Sequence, residues 1–325
     1  MAKTEMYKNL SRESKKIAVV IPAYKVSKQI INVIKSIPSI IDLVVVVDDA
    51  CPENSGQVVK LHFHSKKIVV LKHETNRGVG GAMKTGYKLA LGEGAEIVVK
   101  VDGDGQMNPA SISNLIEPLL SKSADYSKGN RFYSFNLLRN MPKIRLIGNV
   151  ILSFMSKLST GYYQLFDPNN GFTAISREAL ESLELSSVDD RYFFESDMLF
   201  QLNCARKTVV DVPMAAIYGT EVSNLKIGHS ILYFLVRHFR NFVRRIILNY
   251  FVRDFSFASI QLVVGIFLGL WGAFLGISTW SDSRTSGVPS QPGTLVLVAI
   301  LCISSLQLIL SFINFDMTFS RRDKS

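Results

Sequence analysis

The sequence predicts an α/β domain with a Rossmann-like, mostly parallel sheet, followed by amphipathic helices and two transmembrane helices. Three features of the 325 residues predict this fold class. Short apolar runs alternate with helical stretches in the first third of the chain, and carboxylates directly follow two of these runs. Runs that are apolar throughout are typical of parallel strands covered by helices on both faces. Near the C-terminus stand two runs, of 24 and 22 residues, without a charged side chain.

Four strands and the helices between them come first. The strands are predicted at Ile17–Ile21, Leu43–Val47, Lys67–Leu71 and Ile97–Val101. The helices are predicted from a cap at Ser27 to Ser36, over Ser55–His64, from the glycine-rich turn Asn76–Ala82 to Leu91, and onward from Pro109. Serine is a common N-cap and proline suits a first helical turn, so both positions mark helix starts.

The pattern is less regular after residue 125. We expect, in order, a strand ending at Gly129-Asn130-Arg131, a helix over Pro142–Leu158, a turn-rich loop at Asp167–Phe172, a helix over Arg191–Cys204 and final strands within Val209–Tyr218. These elements and the first four strands predict one domain over residues 17–225. A polar tail of residues 1–16 precedes it.

Two carboxylates separated by one small residue end the fourth predicted strand, in the segment Asp102-Gly103-Asp104. Strand alternation puts both side chains on one side if the strand continues. Hard oxygen donors suit Mg²⁺ or Mn²⁺, and parallel sheets bind ligands at the carboxyl ends of their strands. The segment therefore predicts a divalent-metal site. A simple Asp-Gly turn is the alternative that the sequence leaves open.

The glycine-rich turn Asn76–Ala82 also has two interpretations. It can present backbone N–H groups at a helix N-terminus to a phosphate, with Lys84 adding positive charge. Tight packing of the helix on the sheet explains the glycines equally well. A dinucleotide-binding glycine pattern must follow the first strand, where Pro22-Ala23-Tyr24 stands instead. A dehydrogenase is therefore disfavoured.

Charge and composition predict a membrane partner. The net charge is +10, and 47% of the residues are hydrophobic, with the apolar excess after residue 255. The basic residues cluster beside the apolar runs, which favours anionic lipid over nucleic acid. Three separated cysteines, at Cys51, Cys204 and Cys302, form no zinc or disulfide pattern. The polar segment Met1–Lys16 lacks the apolar region of a secretory signal, so we expect the first domain in the cytoplasm.

Residues 226–255 predict one or two amphipathic helices in a membrane interface, because apolar residues alternate there with arginines and histidines. Residues 256–325 predict a transmembrane hairpin with a short basic tail. A helix over Phe257–Trp280 would be about 36 Å long, and Thr294–Phe315 is similar, enough to cross a bilayer. Basic residues flank the outer ends, whereas the connecting loop contains only Arg284. The positive-inside rule therefore predicts a multi-pass protein of the inner (plasma) membrane with both termini cytoplasmic.

Four glycines of the first span fall on one helix face, at Gly265, Gly269, Gly272 and Gly276. Small residues at this spacing let helix backbones approach closely in membranes. The face predicts helix packing either within the hairpin or between protomers of a homo-oligomer, for example a tetramer.

Five motifs follow one another in the order found in family 2 glycosyltransferases: Ile21–Tyr24, Val47–Asp49, Asn76–Gly78, Asp102–Asp104 and Asp167–Phe172. With the catalytic domain first and two spans last, the chain resembles the polyprenyl-phosphate glycosyltransferases, which include bactoprenol glucosyltransferases and dolichol-phosphate mannose synthases. The ordered set is specific, although each motif alone is weak. The resemblance implies a GT-A fold, a nucleotide-sugar donor, a polyprenyl-phosphate acceptor and inverting transfer.

The resemblance also implies roles for individual residues. The donor would be held by Pro22, Tyr24, Asp48 or Asp49, Gly78, Lys84, Asp102 and Gly103. A Mg²⁺ or Mn²⁺ ion on the diphosphate would be held by Asp102, Asp104 and Gln106. The acceptor phosphate would meet Arg131, Arg145 and Lys226. Candidate catalytic groups are Asp104, Asp167, Glu195 and Asp197, although helix capping and ion pairing explain the last three equally well.

Two departures from the family favour a UDP-sugar over GDP-mannose. Tyr24-Lys25-Val26 replaces a Tyr-Asn-Glu motif, and Ala216 replaces an arginine of the mannose synthases. We therefore expect transfer of one hexose, glucose from UDP-glucose, to undecaprenyl phosphate at the cytoplasmic face. The alternatives are another donor such as GDP-mannose or UDP-N-acetylglucosamine, a processive synthase, and a non-catalytic membrane scaffold. Nucleic acid is not an expected partner.

Overall fold

The structure, a computed structural model, describes residues 15–131, 143–168, 170–214 and 227–322. Within these ranges, the side chains of residues 143–147, 149, 227–231 and 319–322 are not described. The chain divides into two compact units between Phe242 and Val243. Most of the predicted polar tail, residues 1–14, lies outside the described residues.

The first unit is built on one seven-stranded sheet. Its strands are β1 (Ile17–Ala23), β2 (Leu43–Asp48), β3 (Ile68–Lys72), β4 (Ile97–Lys100), β5 (Tyr126–Asn130), β6 (Thr173–Ser176) and β7 (Val209–Pro213). Their order is β3-β2-β1-β4-β6-β5-β7. Strand β6 runs antiparallel to both of its neighbours, and the other pairs are parallel. The predicted α/β class with a mostly parallel sheet is confirmed.

Apolar strand residues supply a core on each face of the sheet. Every residue of β2 is buried, and so are the first five residues of β1. Successive side chains alternate between faces, so Val20 and Val45 pack in one core while Val19 and Val46 pack in the other. Helices cover both faces, which is why these strands do not alternate with polar residues.

The helices of the first unit lie between or after these strands. They are α1 (Ile30–Lys35), α2 (Ser55–His62), α3 (Gly78–Gly92), α4 (Ile112–Leu120), α5 (Lys143–Thr160), α6 (Arg177–Glu181), α7 (Phe194–Cys204) and α8 (Ile227–Ile247), within which the division into units falls. A short 3-10 turn at Pro109–Ser111 leads into α4, so a helical segment starts at the predicted proline. Of the stretch predicted to be amphipathic, residues 226–255, residues 227–247 form α8.

Two predicted helix starts are wrong. Ser27 does not cap α1, whose N-cap residue is Gln29; the Ser27 hydroxyl donates to Glu53 at 2.6 Å instead. The helix predicted from Arg191 begins three residues later, at Phe194. The carboxylate of Asp189 accepts from the Arg191 N–H at 2.7 Å, and this local bond holds a turn in place of the first helical residues.

The predicted site residues lie at one edge of the sheet. Because β6 is reversed, its first residue, Thr173, pairs with Lys100 at the end of β4 on one side and with Lys128 of β5 on the other. The carboxyl ends of β1, β2, β4, β5 and β7 therefore lie at the same edge. The motifs after β1, β2, β4 and β5 start there.

The second unit contains the end of α8, a π-helical turn at Leu248–Val252, and the helices α9 (Phe257–Ser286) and α10 (Pro292–Arg322). Residues 257–286 and 292–318 are long and apolar enough to cross a membrane, and each contains an 18-residue stretch of high mean hydropathy, 2.1 and 2.6 respectively. The four predicted glycines face α10, where an added Cβ would come within 2.6–3.2 Å of its side chains. The glycine face is thus used within the hairpin, and the homo-oligomer stays a prediction.

A buried ion pair joins the two ends of the second unit's chain. The Arg245 guanidinium donates through Nη1 and Nη2 to the two oxygens of Asp316, at 2.7 Å each. The Tyr250 hydroxyl donates to the same carboxylate at 2.7 Å. The charged side chains are 2% and 4% exposed. This pair ties the end of α8 to the end of α10.

Candidate active site

The predicted carboxylate pair lies directly after β4. The Asp102 side chain is 31% exposed, and Asp104 is half-buried, with its Oδ1 accepting from the Gln106 N–H at 3.0 Å. Gly105 has a φ of +76°, a left-handed conformation that glycine adopts without strain. The turn that the sequence left open is therefore observed, and metal binding by the two carboxylates stays a prediction.

The donor chemistry of this segment fits a hard divalent cation. Mg²⁺ is commonly bound by one or two carboxylates, with waters and substrate phosphates completing its shell. Asp102, Asp104 and the Gln106 amide provide such oxygens, and all three residues are partly exposed. Within the described residues, no group of three or more His, Cys, Asp or Glu side chains could hold a metal by itself. Cation binding by this segment stays a prediction.

A buried lysine is paired with the first of these carboxylates. Lys100 is 1% exposed, and its Nζ lies 2.8 Å from Asp102 Oδ1 and 3.0 Å from Glu195 Oε1. Burial acts to lower the pKa of Lys100, but the carboxylates of Asp102 and Glu195 outweigh it and raise the pKa above its ordinary value. Lys100 is therefore an ammonium at neutral pH. A Cβ at Gly171 would collide with this ammonium, which explains a glycine in the loop that precedes β6.

A second buried lysine stands in the same row of the sheet. Lys128 and Lys100 both pair with Thr173, so their side chains lie on one face. Lys128 Nζ donates to the Asn170 carbonyl oxygen. Burial lowers the pKa of Lys128 to about 8, although nearby carboxylates, chiefly Glu195, oppose the effect. Sequence analysis missed both lysines, yet a charged residue in a strand buried on both faces was a visible signal.

We expect Lys128 to make the free energy of unfolding rise between pH 8 and pH 10.5. Its pKa is about 8 in the folded protein and ordinarily 10.5, so the unfolded chain binds more protons in this window and stability increases with pH. Relative to Lys128→Met, the wild type should gain at most about 3 kcal/mol across the window. Urea titration in detergent with pulse proteolysis of the first unit measures the gain. Lys60→Met, at an exposed lysine, is the control, and parallel pH profiles for wild type and Lys128→Met would contradict the assignment.

Arg131, at the end of β5, is held by Asp167. Its Nε lies 2.7 Å from Asp167 Oδ2 and its Nη2 lies 3.0 Å from Oδ1. Asp167 is 2% exposed, whereas the Arg131 side chain is 33% exposed. Two parallel bonds fix the plane of the guanidinium, and its exposure keeps it within reach of an anionic ligand. The other predicted acceptor contacts, the Arg145 side chain and Lys226, lie outside the described residues, as does Ala216.

The adjacent carboxylates after β2 bind backbone. Asp48 is 1% exposed and accepts two N–H bonds around the start of α2, at 2.8 and 2.6 Å. Asp49 is 3% exposed and accepts two at the start of α3, at 2.9 and 2.7 Å. Its Oδ1 also lies 2.7 Å from His73 Nδ1. Both residues anchor helices to the sheet edge, and their contact with a nucleoside stays a prediction.

The aromatic ring of Tyr24, which follows β1, is exposed to solvent. Pro22 lies within the strand, and the Tyr24 that follows it is 44% exposed at the same sheet edge as Asp102. Exposed aromatic rings provide surfaces on which bases stack. Gly103 allows the segment Asp102-Gly103-Asp104 to lie close to the chain after β1, since a Cβ at Gly103 would lie 3.0 Å from a methyl group of Val26. Donor binding by these residues stays a prediction.

The glycine-rich turn packs against the segment Val188–Arg191. A Cβ at Gly78 or Gly80 would collide with backbone oxygens of this segment, and the Gly81 N–H donates to one of them at 3.0 Å. Lys84 Nζ donates to the carbonyl of the segment's first residue and lies 2.8 Å from a carboxylate oxygen of its third. The packing interpretation is therefore observed. Phosphate binding by Gly78 and Lys84 stays a prediction.

The two acidic residues of α7 have different surroundings. Glu195 reaches Lys100, as described above. Asp197 is 2% exposed and accepts from Asn241 Nδ2 at 2.6 Å and from the Asp189 N–H at 3.0 Å. Burial raises the pKa of Asp197. These two bonds are neither the helix cap nor the ion pair expected as the structural alternative: Asp197 anchors the first-unit part of α8 by accepting from Asn241, and its catalytic role stays a prediction.

The sheet topology and the side chains at its carboxyl edge together define a class of protein. A seven-stranded, mostly parallel sheet carries two carboxylates after β4 and a fixed guanidinium after β5 at one edge. That is the architecture of a GT-A glycosyltransferase. The chain belongs to the family described as glycosyl transferase family 2, which residues 18–184 match. The predicted family and fold are confirmed.

Individual relatives agree with this assignment. The chain is 35% identical over 241 residues to the UDP-N-acetylglucosamine–dolichyl-phosphate N-acetylglucosaminyltransferase of Methanococcus voltae, covering 68% of this chain and 95% of the relative. It is 28% identical over 208 residues to the polyprenol monophosphomannose synthase of Mycolicibacterium smegmatis, covering 62% and 78%. Its fold is similar to that of the UDP complex of glucosyl-3-phosphoglycerate synthase from Mycobacterium tuberculosis, with a TM-score of 0.53, 18% identity and coverage of 73% and 82%.

Proposed function

We propose that this protein transfers one hexose from a UDP-sugar to a polyprenyl phosphate at the cytoplasmic face of the membrane. The observation that carries the proposal is the 35% identity to a dolichyl-phosphate N-acetylglucosaminyltransferase over 95% of that relative. The carboxylates after β4 and the guanidinium after β5 add the chemistry that a diphosphate and a phosphate need. A non-catalytic scaffold would have no use for either.

The sugar has two candidates. UDP-glucose is the donor expected from Val26 and Ala216, where the motifs of mannose synthases are absent. UDP-N-acetylglucosamine is the second candidate, favoured by the similarity to the N-acetylglucosaminyltransferase of Methanococcus voltae. Both donors carry the same uridine diphosphate, so the two candidates share one leaving group and differ at the sugar.

The acceptor is a lipid phosphate, undecaprenyl phosphate in our proposal. The two apolar helices of the second unit anchor the protein, with both termini cytoplasmic. The part of α8 in the first unit exposes Leu232, Val236 and Phe239 together with Arg240, a composition suited to an anionic membrane surface. Arg131, Arg145 and Lys226 would hold the acceptor phosphate.

The chemistry is a single displacement with inversion. An oxygen of the acceptor phosphate attacks the anomeric carbon, a new carbon–oxygen bond to that phosphate forms, and the bond to UDP breaks. A phosphate monoester is already anionic near neutral pH, so the step depends on positioning more than on a strong base. A divalent ion held by Asp102, Asp104 and Gln106 would supply positive charge at the leaving diphosphate. Arg131, oriented by Asp167, fixes the incoming phosphate.

The test is transfer of radiolabel from a panel of UDP- and GDP-sugars into organic-extractable lipid. Membranes containing the protein are incubated with undecaprenyl phosphate and Mg²⁺ or Mn²⁺, and Asp104→Ala is the inactive control. We expect label from UDP-glucose, or from UDP-N-acetylglucosamine if the second candidate is right, and none with Asp104→Ala. Label growing into long water-insoluble chains would indicate a processive synthase. No label from any donor would support the scaffold.

A further inference from the structure

Lys100 occupies a position where the strand should be apolar. The three residues before it, Ile97, Val98 and Val99, are buried and aliphatic, and Lys100 itself is 1% exposed. Burying an ammonium is unfavourable unless carboxylates compensate for the lost hydration. Here Asp102 and Glu195 do so, at 2.8 and 3.0 Å. Burial of a lysine beside a carboxylate of the candidate active site is unfavourable by itself, so we looked for a functional explanation of this position.

The Lys100 ammonium contacts two carboxylates, those of Asp102 and Glu195, and each oxygen of Asp102 has a different environment. Its Oδ1 is taken by the ammonium, and its Oδ2 points towards Gly171, where a Cβ would collide with it. The Oε1 atom of Glu195 lies 3.0 Å from the same ammonium. The ammonium therefore fixes one oxygen of Asp102, and it also opposes the approach of a second cation to the same carboxylate.

We propose that Lys100 is a positioning residue that holds Asp102 by one oxygen and keeps the affinity of the donor-free enzyme for a divalent cation low. A cation then binds chiefly together with the nucleoside diphosphate, whose negative charge offsets the ammonium. Glu195 moderates the effect by neutralising part of the ammonium's charge. This inference rests on the metal-dependent transfer proposed above.

The effects of the Lys100 and Glu195 charges on cation affinity can be separated by substitution. Glu195→Gln removes the moderating carboxylate while its side-chain oxygen can still accept from Lys100, so cation affinity should fall a few-fold. Adding Lys100→Met to Glu195→Gln removes the ammonium, restores an apolar strand residue of similar length and leaves no unpaired buried charge at Glu195. Cation affinity should then be at least about tenfold higher than in Glu195→Gln alone.

The experiment measures Mn²⁺ binding directly, through the loss of the free-ion EPR signal. The purified full chain in detergent is titrated with and without UDP for wild type, Glu195→Gln and Lys100→Met/Glu195→Gln. Glu181→Gln is the matched control, because it removes an exposed carboxylate in α6, at the opposite sheet edge. Its Mn²⁺ affinity should equal that of the wild type. If Lys100 and Glu195 only supported the fold, both site variants would bind Mn²⁺ more weakly than the wild type, instead of one more weakly and the other more tightly.

The outcomes separate this inference from the proposed function. Tighter Mn²⁺ binding by the double variant than by Glu195→Gln supports the role of Lys100. Equal or weaker binding, with a wild type that binds Mn²⁺ in the presence of UDP, overturns that role and leaves the metal proposal standing. Absence of Mn²⁺ binding by the wild type, even with UDP, overturns both. If the double variant does not fold, an unchanged affinity in Glu195→Gln overturns the inference.

Discussion

Asp104→Asn is expected to lower the rate of sugar transfer about a thousandfold, because a lost metal carboxylate removes several kcal/mol of charge stabilisation in the transition state. The fold should survive. Asp104 is half-buried, and its Oδ1 accepts from the Gln106 N–H at 3.0 Å, a bond that an asparagine oxygen can also accept. The turn at Gly105 is therefore preserved while the negative charge is lost.

Initial rates of label transfer into lipid, with the melting temperature as a measure of folding, test this expectation. Asp42→Asn is the matched control, since Asp42 is exposed before β2 at the opposite sheet edge and its Oδ2 accepts from the Ile17 N–H at 2.9 Å. It makes the same carboxylate-to-amide change and should keep full activity. An Asp104→Asn enzyme within tenfold of the wild type would show that this carboxylate is not required.

Asp316→Ala is expected to destabilise the second unit by about 3–5 kcal/mol, because it removes the carboxylate to which the buried Arg245 guanidinium donates two hydrogen bonds. Arg245 and Asp316 are 2% and 4% exposed and share two bonds of 2.7 Å. Tyr250 loses its acceptor as well. Replacing both partners by apolar residues, Arg245→Met/Asp316→Leu, should recover most of the loss, since no unpaired charge remains.

Both tryptophans of the chain, Trp271 and Trp280, lie in α9, so their fluorescence during denaturation in detergent reports on this unit. Asp282→Ala, at an exposed aspartate after the charge-free run of α9, is the control and should leave the transition in place. A double variant as unstable as Asp316→Ala would mean that the carboxylate contributes through something other than compensation of Arg245.

The strands were predictable because their signal is local. Leu43–Val47 and Ile97–Val99 are unbroken apolar runs, and such runs fit only a sheet covered on both faces. Asp102 and Asp104 were placed correctly at the end of β4 for the same reason, since the strand end is visible in the sequence. The two charge-free runs near the C-terminus likewise carry their own length signal.

Helix starts were less predictable because competing side-chain hydrogen bonds decide them. Ser27 has the right side chain for a cap, but its hydroxyl donates to Glu53, a residue 26 positions away. Asp189 accepts from the Arg191 N–H and delays α7 by three residues. Both outcomes depend on bonds that are formed only when distant or neighbouring segments take up their folded positions.

The roles of acidic residues were also beyond the sequence. Glu195 and Asp197 are two positions apart in one helix, and sequence analysis treated them alike. In the structure one pairs with Lys100 and the other accepts from Asn241, because residues two apart on a helix face different directions. The reversed strand β6 brings Lys100 and Lys128 to either side of Thr173, a juxtaposition of three strands that no local pattern encodes.

The sequence alone was therefore enough to infer the fold class, the carboxylate pair after β4, the family motifs and the two apolar helices, because each depends on periodicity or composition within a short stretch. Several contacts became visible only in the folded protein: Asp167 holds Arg131, the glycine-rich turn packs on Val188–Arg191, the glycines of α9 face α10, and Lys100 pairs with Glu195. Those contacts join residues distant in the chain, and charge pairing in a buried site depends on which strands and helices become neighbours.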